Sequence, residues 1–166
     1  RFDNFAIAGG LMKGEHKGDF SFDDTDPYKI IEGASYSLAV KYDEKLDHYL
    51  DSVINIIAAA QEPDGYLTTC VTNKCYRLSG WWGRSRWEKM NSHELYNMGH
   101  MYEGAVAYFR ATGKRKWLDV AEKNARHINK VFFEGDPNYN DGKPVMQAPG
   151  HEEIEIALLK LYDYLG

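Results

Sequence analysis

Two short segments each place a histidine beside a carboxylate at the predicted start of an amphipathic helix. The first, residues 92–100, contains His93 and Glu94, and the second, residues 149–155, contains His151. Histidines at helix starts that face one rim can donate hydrogen bonds to a polar ligand, so the pair predicts a pocket. The first segment is not the zinc motif H-E-x-x-H, because Asn97 stands where that motif has its second histidine.

The same residues also have structural explanations. His93 would lie at a capped helix start if Ser92, or the asparagine before it, were the N-cap. Glu94 and the acidic residues after His151 suit a first helical turn, where the helix dipole favours negative charge. His100 is about 10.5 Å further along the helix than His93, so we expect a core histidine with its hydrogen bonds satisfied.

A run of acidic residues lies at an earlier predicted helix start, near Pro27. Glycosidic cleavage uses paired carboxylates, and Asp23, Asp24 and Asp26 lie just before or beside Pro27. Capping by Asp24 or Asp26 is the alternative role, since proline is common at the first helical position. We keep Asp26 as a candidate sugar contact, with His93, His151 and Glu94. Tryptophans that could stack on a sugar or fold onto the helices are Trp81, Trp82 and Trp87.

The two cysteines do not predict a metal site. Cys70 and Cys75 are the only cysteines of the chain, and structural zinc usually takes four ligands. Their spacing is not C-x-x-C. We expect two ordinary thiols or one local disulfide.

Three repeated segments predict the elements that position these residues. Each has Glu-x-Ala followed by apolar residues at helical spacing, at 32–42, 103–113 and 155–165. After the first two come a charged turn and a second amphipathic helix, at 46–60 and 117–132. Small residues at Gly33 and Ala34, and at Gly104 and Ala105, predict close approach between helices.

The hairpin count predicts an all-α fold that forms part of an (α/α)6 barrel. The third repeat reaches its turn at Gly166 without a partner helix, so residues 1–166 are expected to be a partial domain of about two and a half hairpins. A repeat array cut within a unit leaves an apolar face without its neighbour. The expected partner for that face is the remainder of the same polypeptide.

Composition excludes two classes of function. The chain has 166 residues and a formal net charge of −5, with acidic and basic residues interleaved. No basic block of the kind that binds nucleic acid is present. No apolar run approaches the ~20 residues of a membrane span, and no signal peptide is visible at the start of the chain.

Five motifs in order resemble one enzyme family. They are DTDPYKIIEGA (24–34), AAQEPDGYL (59–67), HELYNMGH (93–100), ATGKRK (111–116) and PGHEEIE (149–155). Together they are similar to the amino-terminal half of the catalytic domain of glycoside hydrolase family 127, the β-L-arabinofuranosidases and their relatives. The resemblance spans residues 20–166.

The resemblance implies an (α/α)6 barrel and retaining hydrolysis of L-arabinofuranosides. It also implies a zinc-bound cysteine as nucleophile and a glutamate as acid/base. Those groups belong to Glu-Thr-Cys and Cys-Cys segments that do not occur here, so no catalytic residue and no zinc ligand is expected within this chain. By position, His93 and His151 match histidines that contact the arabinose ring.

We therefore predict part of a periplasmic or secreted glycoside hydrolase whose substrate is a carbohydrate, with the isolated segment inactive. One alternative is a toroidal hydrolase or lyase acting on uronic-acid sugars, for which Arg84 and Arg86 are the local basic candidates. The other is a glycan-binding helical array without catalysis.

Overall fold

Over residues 1–75 and 82–165, which the computed structural model describes, the chain forms seven α-helices and no strand. The helices are α1 (Phe2–Ala8), α2 (Thr25–Val40), α3 (Glu44–Ala59), α4 (Thr69–Thr72), α5 (Glu94–Thr112), α6 (Lys116–Asn129) and α7 (Ile154–Leu165). Met90–Ser92 and Asn140–Gly142 form 3₁₀ turns, and α6 continues into a π-helical turn over Lys130–Glu134. Trp81 lies outside the described residues.

Local chemistry sets where the helices of the hairpins begin and end. The Asp43 carboxylate accepts hydrogen bonds from the backbone N–H groups of Lys45 (2.9 Å) and Leu46 (3.1 Å), which caps α3. Gly113 ends α5 in the left-handed conformation, with φ of 73°. Both predicted charged turns therefore separate two helices of a hairpin.

The helices pack in two layers. Helices α2, α5 and α7 lie side by side with α5 in the middle, and α3 and α6 pack behind them. The apolar faces of α3 and α6 supply much of the core between the layers; its members from these helices include Leu50, Val53, Ile54, Ile57, Trp117, Val120, Ala121 and Ile128. The predicted pairing of helices into hairpins is confirmed.

Close approach is confirmed at one of the two predicted glycines. A Cβ at Gly104 would lie 2.4 Å from Cη2 of the buried Trp117, so glycine is what lets α5 reach the tryptophan. A Cβ at Gly33 would meet nothing within 4 Å. The expectation for Gly33 is wrong, because this position of α2 faces outward.

Two further features bear on chemistry. Cys70 and Cys75 form a disulfide, which decides between the two expected states of these residues. In the described ranges, none of the helices has both the length and the apolar character that crossing a membrane requires.

Candidate functional site

His93 occupies the residue at which α5 begins. It is the N-cap residue in the left-handed conformation, with φ of 59° and no capping hydrogen bond from its side chain. The alternative in which Ser92 or Asn91 caps this helix is therefore wrong. Instead, the His93 ring turns back, and its Nδ1 lies 2.5 Å from the carbonyl oxygen of Asn91. Because a carbonyl oxygen only accepts, Nδ1 carries the proton, and in the neutral ring Nε2 is left as an acceptor.

His151 lies against this ring. The ring centroids of His93 and His151 are 5.5 Å apart, and that of Tyr96 is 5.1 Å from His151. Phe22, from the segment before α2, adds a fourth ring 5.0 Å from His93. Three separate segments of the chain therefore converge, and the two predicted histidines are brought together. We call His93, Tyr96 and His151 the histidine cluster.

Lys29 joins the cluster from α2. Its Nζ donates to the Tyr96 hydroxyl at 2.9 Å and lies 5.1 Å from the centre of that ring. Sequence reasoning missed Lys29 because no local pattern distinguishes it from other exposed lysines. Tyr96 did carry a signal, since it lies three residues after His93 and hence on the same helical face.

Glu94 points away from the cluster into the protein. Its buried carboxylate accepts hydrogen bonds from the Tyr66 hydroxyl (2.5 Å), the Ser92 hydroxyl (2.6 Å) and the backbone N–H of Trp87 (3.0 Å). Burial raises the pKa of Glu94, while these hydrogen bonds oppose the rise. The side chain thus fastens the segment that leads to His93.

The acidic run has three different environments. Asp24 is buried and accepts hydrogen bonds from the backbone N–H (2.7 Å) and hydroxyl (2.5 Å) of Thr69, so it links α2 to α4 instead of capping α2. Burial raises the pKa of Asp24 to about 6, although the hydrogen bonds lower it. Asp23 pairs with Arg1 at 2.8 Å. Asp26 is exposed and lies 3.3 Å from Arg1 Nε, so its recorded partner is Arg1 rather than either histidine.

Arg86, a candidate for binding a uronic acid, is already engaged. Its guanidinium pairs with Glu62 and with Asp64 (2.7 Å), and it stacks 4.2 Å from the centre of the Tyr66 ring. These carboxylates and the Tyr139 hydroxyl outweigh burial and raise the pKa of Arg86. An arginine neutralised by two carboxylates is poorly suited to hold the carboxylate of a sugar, whereas Arg84, the other candidate, is exposed.

Within residues 1–75 and 82–165, metal-ligating side chains come together in two other places. His16 lies beside Cys70 and Cys75, but the sulfurs are bonded to each other and offer no thiolate while the disulfide is intact. The second place holds His100, Glu103 and Glu153, whose ligand atoms lie within 4.8 Å of one another.

A wider surface groove of about 610 Å³ lies away from the histidine cluster, between α6 and the end of α7. Its charged side chains already have polar partners, some of them outside the groove, such as Asp136 for Lys130. Arg115 and Arg126 both contact Glu122, at 3.5 and 2.6 Å. We take the histidine cluster as the candidate site because its rings come together from separate segments of the chain.

The chain is similar in sequence to proteins of one enzyme family. The family described as Beta-L-arabinofuranosidase, GH127 catalytic domain, matches residues 1–166. A non-reducing end β-L-arabinofuranosidase of Bifidobacterium longum subsp. longum is 41% identical over 165 residues, which are 98% of this chain and 23% of that protein.

Two solved structures agree with this. A GH127 β-L-arabinofuranosidase from Geobacillus stearothermophilus T6 is 43% identical with a TM-score of 0.84, covering 98% of this chain and 24% of that one. A second GH127 β-arabinofuranosidase is 46% identical with a TM-score of 0.83, covering 98% and 25%. The chain thus spans about a quarter of the length of these relatives. The matches confirm the predicted all-α fold of helical hairpins in the (α/α)6 toroid class.

Proposed function

The chain belongs to the GH127 β-L-arabinofuranosidase catalytic-domain family, and from this premise we propose that it supplies sugar-binding residues to an enzyme that hydrolyses L-arabinofuranosides. The observation that carries the proposal is the meeting of His93 and His151, with ring centroids 5.5 Å apart, at the starts of two neighbouring helices. The substrate, the activity and the carbohydrate partner are proposed for the whole enzyme. This chain spans about a quarter of the length of its relatives.

The tautomer of His93 suits a sugar hydroxyl. Because Nδ1 donates to the Asn91 carbonyl, the neutral ring presents Nε2 as an acceptor in a fixed orientation. A furanose hydroxyl can donate to that nitrogen and at the same time accept from a neighbouring donor. The adjacent His151 ring, which is exposed, is placed to supply that second contact.

Lys29 and Tyr96 extend the polar surface. The ammonium group donates to the Tyr96 oxygen, so the tyrosine hydroxyl hydrogen is left to donate elsewhere. We propose that this hydrogen is directed to the sugar as well. Asp26 precedes Lys29 by one helical turn on α2 and is exposed, and we propose it as a contact at the outer edge.

Glu94 acts as a positioning residue in this proposal. Its carboxylate accepts hydrogen bonds from Trp87, Ser92 and Tyr66 and so holds these three residues together. His93 comes directly after Ser92 and has a left-handed backbone conformation that few non-glycine residues adopt. The fastened segment keeps the His93 ring from rotating away from the ligand. Ordering the ring before the sugar arrives lowers the entropy cost of binding.

The retaining mechanism is proposed on the family alone. Zinc, when bound, would hold a cysteine thiolate ready as the nucleophile. The cysteines of this chain do not fit that site, because Cys70 and Cys75 are bonded to each other. No step of the reaction is therefore assigned to them.

We propose a periplasmic or secreted enzyme, and the disulfide supports this, since such bonds persist in oxidising compartments.

A chimera tests the proposal. Residues 1–166 would replace the matching quarter of the Geobacillus stearothermophilus enzyme, and release of nitrophenol from 4-nitrophenyl β-L-arabinofuranoside would be measured after circular dichroism confirms folding. We expect hydrolysis, and we expect His93→Ala to reduce kcat/KM by about 10²-fold or more, as loss of an oriented hydrogen bond in a transition state does.

The matched control is His48→Ala, since His48 is an exposed histidine on α3, on the other layer of helices. This variant should leave the rate unchanged. A folded chimera without activity, or an equal rate for His93→Ala and His48→Ala, would contradict the proposal.

A further inference from the structure

A second group of side chains lies deeper along α5 than the histidine cluster. His100 and Glu103 are three residues apart and share one face of α5, and Glu153 reaches them from the residue before α7. Gly99 makes this approach possible, because a Cβ there would lie 2.5 Å from Cγ of Glu153. The close contact of backbone and side chain fixes Glu153 against α5.

Three atoms of His100 and Glu153 in this group lack hydrogen-bond partners among the described residues. Nδ1 of His100 lies 3.1 Å from Oε1 of Glu153, yet their orientation makes no hydrogen bond. Both nitrogens of His100 and Oε1 of Glu153 are buried, and none of them finds a partner among the described residues. The ring of His100 keeps 12% of its side-chain surface exposed, so a small ion can still reach it. Our expectation of a satisfied core histidine is wrong.

The charges around these atoms favour a cation. The carboxylates of Glu32, Glu103 and Glu153 interact with one another, and the nearby ammonium groups are Lys160, which pairs with Glu103, and Lys29. The excess of carboxylates over ammonium groups favours a bound cation.

His100 has a ring nitrogen free for ligation. Nδ1 and Nε2 are both buried, and neither finds a hydrogen-bond partner among the described residues. The unprotonated nitrogen of an imidazole offers a lone pair to a metal ion.

We propose that His100, Glu103 and Glu153 form a binding site for a divalent transition-metal ion. An imidazole nitrogen with two carboxylate oxygens suits zinc or manganese better than magnesium or calcium, which prefer oxygen ligands alone. Ligands ~2.1 Å from a tetrahedral metal lie about 3.4 Å from each other. Nδ1 of His100 and Oε1 of Glu153 are 3.1 Å apart, and the ligand atoms of all three residues lie within 4.8 Å of one another. Small side-chain rotations would therefore bring the three ligand atoms to the distances that a metal ion requires.

This site differs in its ligands from a thiolate zinc site and does not depend on the sugar-binding proposal. Its test is binding of the metal alone. The chain is titrated with Co²⁺, whose visible absorption reports coordination, and then with Zn²⁺ as competitor. No reductant is added, so the Cys70–Cys75 disulfide stays closed. We expect one equivalent of Co²⁺ to bind, Zn²⁺ to displace it, and Mg²⁺ at the same concentration to leave the spectrum unchanged.

Matched variants locate the ion. His100→Gln should weaken Co²⁺ binding by at least about tenfold, because losing even an outer partner of a ligand costs ~10–100-fold. His48→Gln is the control, since His48 and Glu44 form an exposed pair 3.8 Å apart. It should leave the affinity unchanged. His93→Gln should also leave it unchanged, and a loss there in place of His100→Gln would put the ion at the histidine cluster and overturn the proposal.

Lys160 provides a variant that should improve binding. Its ammonium group competes with a metal ion for Glu103, so Lys160→Gln is expected to tighten Co²⁺ binding by several-fold. This gain cannot come from misfolding. Absence of Co²⁺ binding in both the wild-type chain and Lys160→Gln would overturn the proposal.

Discussion

Replacing Glu94 with alanine should destabilise the chain far more than replacing it with glutamine. The carboxylate is 2% exposed, and it accepts hydrogen bonds from Tyr66, Ser92 and the Trp87 backbone. Glutamine has the same shape and keeps one oxygen. That oxygen can still accept from Tyr66 and from the Trp87 N–H, both of which bond to Oε1 in the wild-type protein.

The magnitude follows from the donors left without partners. In Glu94→Ala, the Tyr66 hydroxyl and the Trp87 N–H lose their acceptor, at about 1–3 kcal/mol each. Ser92 loses less, because its hydroxyl also lies 2.6 Å from the Lys89 carbonyl. Relief of the buried charge offsets part of the total, so we expect a loss of roughly 2–4 kcal/mol. In Glu94→Gln, the new amide can donate to Ser92, and we expect about 1 kcal/mol.

Urea unfolding followed by circular dichroism measures both changes as differences in the free energy of unfolding. Glu152→Ala is the control, because Glu152 is an exposed glutamate at the other helix start and should change stability by no more than about 0.5 kcal/mol. Equal losses for the alanine and glutamine variants, or a loss below about 1 kcal/mol for alanine, would refute the anchoring role of Glu94.

Two further predictions concern packing and pH. Gly104→Ala should lower the free energy of unfolding by about 1–3 kcal/mol through the clash with Trp117. Gly33→Ala, in open space within α2, should raise it by about 0.5–1 kcal/mol. Thermal unfolding of both variants measures these changes, and a stabilised Gly104→Ala would contradict the prediction. Because the folded state raises the pKa of Glu153 to about 7, its contribution to stability is complete below pH 4.5 and is lost as pH rises through 7. The wild-type chain should therefore lose roughly 1–2 kcal/mol relative to Glu153→Gln between pH 4.5 and 8, after allowance for solvent screening, and parallel stability curves for the two proteins would contradict this.

The repeated Glu-x-Ala segments made the hairpins predictable, because helical periodicity and charged turns are local signals. The short helices α1 and α4 were missed. Four residues, as in α4, are too few to show a period, and α4 is held by Asp24 from a distant segment. Gly33 and Gly104 looked alike in sequence, yet only Gly104 faces a buried tryptophan.

The site was predictable to the extent that its residues mark helix starts. The meeting of His93 and His151 was expected, since both precede helices of the same layer. The inward turn of Glu94 was not, because its partner Tyr66 comes from a distant loop. Likewise, Glu153 looked like an ordinary first-turn acid, and its contact with His100 depends on how α7 packs against Gly99.

The central claim is that His93 and His151 act on one sugar. In the chimera with the Geobacillus stearothermophilus enzyme, kcat/KM for the aryl β-L-arabinofuranoside would be measured for His93→Gln, His151→Gln and the double variant. Rings 5.5 Å apart that share a ligand should be coupled, by about 0.5–3 kcal/mol. The account predicts that both single variants lose activity and that the losses do not multiply in the double variant. Losses that multiply, or a single variant with full activity, would contradict it.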